Sequence, residues 1–579
     1  MTDRAAPQQI LIVGGYGIFG GRLVELLEDE ARLTLLVSGR SVERAREYCM
    51  SRTNAKARLV PVAFDREDRS SASLAALRPS LVVDASGPFQ HYGERPYQLI
   101  EHCIELGIHY LDLADGSDFV AGIAKFDVAA KRAGVYALSG VSSFPVLTTA
   151  VTKRLSADML EIQSIRAGIA PSPYAIVGLN VIRAIASYAG QRVALRRDGK
   201  WTSGWSFTDS MPFVVAAPGR VPLERRRFSL VDVPDLRTLA ELWPQAADIW
   251  MGAAPAPALL LRALNAFAWL VRIRLLPGLS WMARSMSFVI DQARWGEHRG
   301  GMFVRVHGRD REGRSIVREW HLLAEGNDGP LIPCMAVEAI VRKALAGDAP
   351  TPGARTATSD VTLADYEALF SKRTLYAGIR ERVPAEGTPL YQRILGDAWE
   401  TLAPQIRDLH SVTRESVFTG RCRVERGRSP LSRLAAALIG FPKPGPDQEV
   451  SVTLTVERDG ERWVRHIAGH RFSSVQHPGR GRSDWLVRER FGPVCVHMAL
   501  VVEDTALQYV IRRWTLFGIP LPLWLGPRSR ASESVEDGRF RFDVEIRHPL
   551  TGLIVKYQGL LSPRQAKQAR TPVRAYRTV

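Results

Sequence analysis

Three glycines, at positions 15, 17 and 20, follow a β-branched run from Ile10 to Val13 and open into an apolar helical pattern. The spacing G-x-G-x-x-G suits a phosphate cradle. The first glycine permits a tight turn, the second lets backbone approach a pyrophosphate, and the third lets the next helix lie close to the strand. Ile18, Leu23, Leu26 and Leu27 recur at helical spacing, which predicts a helix over 18–27. Its free N–H groups and its dipole would face the phosphates. Gly15, Gly17, Ile18, Phe19 and Gly20 are therefore the candidate phosphate-binding positions.

The end of the next strand, Leu33 to Val37, selects the nucleotide. Where an NAD site carries an acid for the ribose 2′-hydroxyl, this chain has Ser38-Gly39-Arg40-Ser41. Without a carboxylate nothing repels a 2′-phosphate. Arg40 can grip that phosphate through a fork of charge-assisted bonds, and Ser38 and Ser41 can add hydroxyls. The expected cofactor is NADP(H). Asp65, after a third strand over 58–64, is placed to touch the adenine edge.

A hydride-transfer site also needs a group that protonates or polarises the substrate. The candidates by position are His91 and Tyr92 after the fourth strand, and Tyr110 and Asp115 around the fifth. Between strand and candidates lies the loop Ser86-Gly87-Pro88-Phe89, at the carboxyl edge where doubly wound sheets bind ligands. A Tyr followed four residues later by Lys would signal a short-chain dehydrogenase. Tyr92, Tyr97, Tyr110 and Tyr136 are followed at that distance by Pro96, Glu101, Ala114 and Gly140, and no other tyrosine has the pair. No H-E-x-x-H, G-x-S-x-G or Walker loop occurs, which removes the commonest metalloprotease, esterase and NTPase readings.

The elements that would position these residues form a βα rhythm through residue 150, with strands at about 10–13, 33–37, 58–64, 80–84, 109–116 and 135–140. Such alternation predicts a doubly wound, Rossmann-type parallel sheet. From 151 to 325 the pattern changes to an α+β domain. FVRVHGRDREGRSIVREWHLL reads there as a hairpin turning at Asp310 to Gly313. The segment that follows, from Asn327, runs into a helix over about 332–345. Past Val383-Pro384-Ala385 a third unit, 385–565, opens with a helix over 390–409. It continues as β-rich sequence, with hairpins such as EVSVTLTVERDGERWVRHI, and the expected architecture is a broad antiparallel sheet or incomplete barrel.

GGYGIFGG, SGRS, DASGPFQHYG, YLDLADG and NDGPLIP together resemble the saccharopine dehydrogenase-like NADP-binding oxidoreductases over about residues 8–375. The resemblance implies phosphates on Gly15, Gly17 and Gly20 and a 2′-phosphate near Ser38 and Arg40. It also implies that Ser86 to Phe89 lie beside the nicotinamide, and that 326–375 returns to the nucleotide domain, which makes 151–325 an insertion. The C-terminal unit resembles a bacterial domain of unknown function, which supplies no chemistry.

Composition narrows the remaining classes. At 579 residues, 46% hydrophobic and 24% charged, the chain reads as several globular units. The net charge of +17 comes mostly from arginines spread along the chain, so a nucleic-acid site is not expected. Cys49, Cys103, Cys334, Cys422 and Cys495 form no C-x-x-C pair. They support neither zinc nor a disulfide framework, and a reducing cytoplasm is expected. His466 and His470 would lie about 13 Å apart on one strand face, too far for joint ligation, so no metal is expected. Two arginine-flanked apolar segments, ALLLRALNAFAWLVRIRLLPGLSWMARSM and WTLFGIPLPLWLG, leave several readings open: internal packing, a homodimer interface, a pocket wall, or contact with a membrane surface. The expectation is an NADPH-dependent reductase of a small or lipid-like apolar substrate. The alternative is a carrier that NADPH regulates, in which the C-terminal unit holds an apolar ligand.

Overall fold

The computed structural model describes residues 8–68, 70–382 and 387–564; the boundary expected at Val383 to Ala385 lies outside the described residues. The chain divides into two compact units, one of residues 1–217 and 223–383, the other of 218–222 and 384–579.

The first unit opens with β1 (Gln8–Val13), α1 (Ile18–Leu27), β2 (Leu33–Gly39), α2 (Val42–Ser51), β3 (Arg58–Ala63), β4 (Leu81–Asp84), β5 (His109–Asp112) and β6 (Tyr136–Ser139). A second group comprises β7 (Glu161–Ala170), β8 (Arg192–Arg197), β9 (Lys200–Trp205), β10 (Ser210–Phe213), β11 (Arg226–Leu230) and β12 (Asp248–Ala253). It continues with β13 (Gly300–Arg309), β14 (Ser315–Ala324), β15 (Gly353–Thr356) and β16 (Leu375–Glu381). The first sheet runs β15-β6-β5-β4-β1-β2-β3, all parallel, with the order reversing at β1. Its central strands are buried on both faces, as the β-branched runs require. The second sheet, β10-β11-β12-β7-β13-β14-β16, is antiparallel apart from the β12–β7 pair. The hairpin at 310–313 joins β13 to β14.

After β14 the chain returns to the nucleotide domain. The helix Ile332–Leu345 packs on α1, where the Cys334 thiol lies 3.4 Å from the Phe19 carbonyl and Arg342 donates to the Leu26 carbonyl at 2.9 Å. β15 then extends the parallel sheet, and β16 goes back to the antiparallel one.

The second unit contains β17 (Glu415–Arg426), β18 (Gly445–Glu457), β19 (Gly460–Ile467), β20 (His470–Pro478), β21 (Val487–Phe491) and β22 (Val494–Glu503). They are followed by β23 (Ala506–Leu516), β24 (Ile519–Leu521), β25 (Arg528–Glu536), β26 (Arg539–His548) and β27 (Gly552–Pro563). The order is β22-β21-β20-β19-β18-β17-β27-β26-β25-β23, and β22 pairs back onto β23. The barrel is therefore closed with ten strands, with β24 attached to β23; closure removes the open edges an incomplete barrel would expose. The single helix expected over 390–409 is three short pieces, Leu390–Leu395, Gly396–Thr401 and Pro404–His410. Gly396, at φ +56°, and Pro404 break it.

Candidate nucleotide and hydride-transfer site

The glycine loop is built so that backbone, not side chain, meets a ligand. Gly14 takes φ +76° and packs against the β4 end; a Cβ there would lie 3.2 Å from the Ala85 oxygen and the Ser86 Cα. A Cβ on Gly15 would lie 2.9 Å from the Ile12 oxygen, one on Gly17 would lie 2.9 Å from the Gly14 oxygen, and one on Gly20 would overlap the Gly14 carbonyl. Gly17 is the exposed N-cap of α1. No side chain caps the helix and its first turn holds no acid, which leaves its N–H groups free for an anion. The half-buried Ile18 and Phe19 supply the first turn. These features fit a dinucleotide pyrophosphate.

At the end of β2 the residues divide. Ser38 is fully buried and its hydroxyl donates to the Ile12 carbonyl at 2.9 Å, which ties β2 to β1 and turns the group away from the nucleotide. Ser41 caps α2: its hydroxyl accepts from the Arg44 N–H at 3.3 Å and donates to Glu43 at 2.9 Å. Arg40 is exposed beside them. Two further residues belong here that motif reading missed. The Tyr16 hydroxyl accepts from the Ser41 N–H at 3.2 Å, its ring fills the space a Gly39 side chain would need, and the Arg44 guanidinium lies over that ring at 5.2 Å. Arg40 and Arg44 are thus two cations at the strand end. Asp65 is exposed and accepts from the Glu67 N–H at 3.1 Å.

The loop after β4 is held from below and above. Asp84 is fully buried, pairs with Arg66 at 2.8 Å, and accepts from the Ser86 N–H at 3.0 Å and the Ser86 hydroxyl at 2.6 Å. The Tyr92 hydroxyl lies 3.0 Å from the Ser86 oxygen, and the Arg66 guanidinium lies 3.3 Å from the centre of the Tyr92 ring. With the Ser86 proton committed to Asp84, Tyr92 is the donor to Ser86. Burial, reinforced by the Asp84 charge, pushes the Tyr92 phenol up, so it keeps its proton and anchors the loop. Phe89 is buried against Tyr92 and Phe119, with ring centres 4.8 and 5.2 Å away. Gly87 and Pro88 remain half-exposed beside the glycine loop.

The inserted domain roofs this surface. Asn180, in the helix Leu179–Tyr188, donates to the Gly87 carbonyl at 2.7 Å, and Arg22 of α1 donates to the Ile176 carbonyl at 3.0 Å. A Cβ on Gly178 would lie 2.9 Å from the Ile18 side chain. Below the roof is an acidic cluster. Gln90 donates to Asp115 at 3.1 Å and Ser117 donates to Asp232 at 2.8 Å. Desolvation raises both carboxyls, and Asp232 adds to the shift of Asp115. The Asp115 side chain itself is exposed to solvent. The Tyr188 phenol is pushed up by burial and then by the charges of Asp115 and Asp232, which places all three together.

Two other predicted positions fall differently. Tyr110 is fully buried in the core on β5, where its hydroxyl meets no polar partner among the described residues; it does not reach the cleft. Of His91 the structure describes only the backbone, within the 3-10 turn Phe89–His91. Asp112, one turn of chain before Asp115, is fully buried and accepts from the Ala114 N–H, the Ser139 hydroxyl and the Gly140 N–H at 3.0, 3.0 and 2.8 Å. It ties the β5 and β6 ends together, and desolvation pushes its carboxyl up to about 7.

This geometry defines a nicotinamide dinucleotide-binding domain of oxidoreductase type. Residues 10–138 match the saccharopine dehydrogenase NADP binding domain, and residues 402–561 match a domain of unknown function, DUF4166. A lipid droplet localized protein of Caenorhabditis elegans is 26% identical over 146 residues, which are 24% of this chain and about a third (34%) of that relative. Among solved structures, saccharopine dehydrogenase (L-Glu forming) from Saccharomyces cerevisiae aligns with 65% of this chain and 100% of its own, at 11% identity and a TM-score of 0.48. A meso-dapdh mutant from Clostridium tetani aligns with 63% of this chain and 98% of its own, at 13% identity and a TM-score of 0.32.

Proposed function

We propose that the first unit is an NADPH-dependent reductase that acts on a small or lipid-like apolar substrate in the cleft between the parallel sheet and the inserted domain. The observation that carries this reading is the glycine loop, roofed by residues 176–180 and flanked at the β2 end by Arg40 and Arg44. The bound dinucleotide supplies the hydride. The chain positions it through backbone N–H groups and excludes water with the roof. Asp115 is the proton donor: its raised carboxyl holds a proton closer to neutral pH than an ordinary aspartate does, and the neighbouring Asp232 charge sustains that shift. The shared Tyr92–Ser86–Asp84 chain keeps the nicotinamide loop rigid.

The test is a pair of measurements on the purified chain. NADPH binding is followed by the rise in dihydronicotinamide fluorescence, and turnover by loss of absorbance with long-chain ketones and enones as substrates. Saturable NADPH binding with substrate-dependent oxidation is the expected result. Tighter binding of NADH than NADPH, or tight NADPH binding with no turnover on any carbonyl lipid, refutes the proposal.

A further inference from the structure

The barrel of the second unit encloses a cavity of about 340 Å³. That volume is in the range of about 300–1,000 Å³ typical of small-molecule sites. Ten strands enclose more space than their inward side chains fill, and here Tyr509, Ile511, Val544 and Ile546 face inward yet stay only half-buried. The wall is otherwise apolar, with Val450, Val452, Met498 and Phe542 among its residues.

Strand direction assigns the two ends of the barrel. The antiparallel pairings put the β17–β18, β19–β20, β21–β22, β23–β25 and β26–β27 connections at one end. At the other end the pieces 390–410 close the floor; Ala403 donates to the Thr505 carbonyl at 3.1 Å and Gln405 to the Gly538 carbonyl at 3.3 Å. Polar lining occurs at several levels: Tyr509 and Glu533 lie near the floor ends of β23 and β25, whereas Arg465 and Glu489 lie two residues from the β19–β20 and β21–β22 connections and His548 ends β26 at the first end. Arg465 pairs with Glu489 at 3.2 Å and donates to Ser474 at 2.9 Å, while Glu533 accepts from Tyr509 and His410, each at 2.7 Å.

The first end carries a rim of exposed apolar side chains. The helix Pro430–Ile439, in the β17–β18 connection, exposes Leu431, Leu434 and Leu438, a stripe at i, i+3 and i+7; the β23–β25 connection exposes Phe517, Ile519 and Trp524. Leu438 and Phe517 are 80% and 79% exposed, which is far from the usual fate of such residues in a water-facing loop.

From the apolar cavity, the internally paired polar groups in its wall and the apolar rim we infer that the barrel binds one neutral long-chain lipid, taken up through the rimmed end from a lipid surface. The charge pattern selects the class. Among the described lining residues Arg465 is the one guanidinium and Glu489 already pairs with it, and His548 is bonded to the Leu525 carbonyl at 2.9 Å, so the basic side chains of the lining are already engaged and offer a carboxylate head no open partner. A hydroxyl or ester can share these hydrogen bonds without burying a charge. The inference stands apart from the reductase reading and uses none of its residues.

The test uses the full chain and N-phenyl-1-naphthylamine, a neutral dye that brightens in apolar surroundings. Expected are saturable binding and displacement by 1-hexadecanol at a concentration at least tenfold below that of palmitate at pH 8. Ala531→Trp and Ile546→Trp, which point into the cavity, should each weaken dye binding at least tenfold. Val510→Trp, on the outer face of β23, should not, and circular dichroism confirms that each variant is folded. The double variant Leu438→Asp/Trp524→Asp should slow dye uptake from phosphatidylcholine vesicles at least fivefold while the solution Kd stays within twofold. Failure of the dye to bind the wild-type chain overturns the site. Unimpaired binding in both folded cavity variants does the same. Palmitate equal to hexadecanol overturns the neutral class, and unchanged uptake in the rim variant overturns the route. Loss of NADPH binding or turnover would leave every one of these readouts untouched.

Discussion

Replacing Arg40 with Gln tests the cofactor assignment at its most exposed point. The side chain keeps its reach but loses its charge and its fork. A hydrogen bond to a charged partner is worth about 1.5–3 kcal/mol, but Arg40 is exposed at the β2 end, where solvent and salt screen the pair. Discounting for that leaves about 1–2 kcal/mol, a weakening of about 5–30-fold in the Kd for NADPH. Arg44 lies on the same corner, held over the Tyr16 ring, and would keep part of the attraction in the single variant. The double variant Arg40→Gln/Arg44→Gln should therefore lose more than Arg40→Gln alone. NADH has no 2′-phosphate, so its Kd should move by less than about twofold in both. Titration of dihydronicotinamide fluorescence at low and high ionic strength reads all of this, and the wild-type preference for NADPH should shrink as salt rises. If NADPH and NADH weaken together, Arg40 supports the fold and not the phosphate. If neither weakens, the cation corner is not part of the site.

Gly20→Val should reduce dinucleotide binding at least 100-fold, because its Cβ would overlap the Gly14 carbonyl and force α1 off the loop; equilibrium titration checks it. Asp115→Asn should lower kcat at least tenfold and leave the Kd for NADPH within about threefold, as steady-state kinetics and titration would show. Asp235→Asn should stabilise the first unit at high pH. Asp235 is fully buried, and desolvation, opposed in part by a hydrogen bond from Thr148, pushes its carboxyl from 3.8 to about 7. Its folded-state value is raised, so the folded form binds more protons than the unfolded one between those limits, and stability falls as pH rises from about 4 to 7. A shift of about three units caps the penalty near 4 kcal/mol above pH 7. The variant's melting temperature should drop less between pH 5 and pH 8 than the wild type's; an equal drop refutes the assignment.

The parts of the site that the sequence made legible are those whose chemistry is local. A glycine that must touch backbone six residues away declares itself within one loop, and so do a strand end without an acid and a helix over 332–345. Tyr110 shows the limit. β5 reads His-Tyr-Leu-Asp, and on a parallel strand covered on both faces no apolar–polar alternation says which side chains face the cleft. Ser38 was misplaced in role for a related reason: a hydroxyl at a strand end can serve the ligand or the neighbouring strand, and only the register of β1 against β2 decides that it serves Ile12. Asn180, Tyr188 and Asp232 carried no motif at all. Asp232 reaches Ser117 across 115 positions, and such a pair exists only once the second sheet is folded.

Closure of the barrel was hidden by the same physics, since the β22–β23 pairing that completes the ring leaves no mark distinguishing it from any other hairpin. Once closed, the ring poses an energetic question that composition could not. Its interior holds Arg465, Glu489, Glu533 and His410 where apolar side chains would pack at no desolvation cost. A barrel selected for stability alone would fill that space with hydrocarbon, because each unfilled methylene in a core costs about 1 kcal/mol. Here the polar groups pair with one another inside the ring, half-buried apolar side chains line the space they leave, and exposed leucines stand at the rim. Paired polar groups beside an unfilled apolar wall, under an exposed apolar rim, fit a site shaped for an amphiphile better than a core that failed to pack.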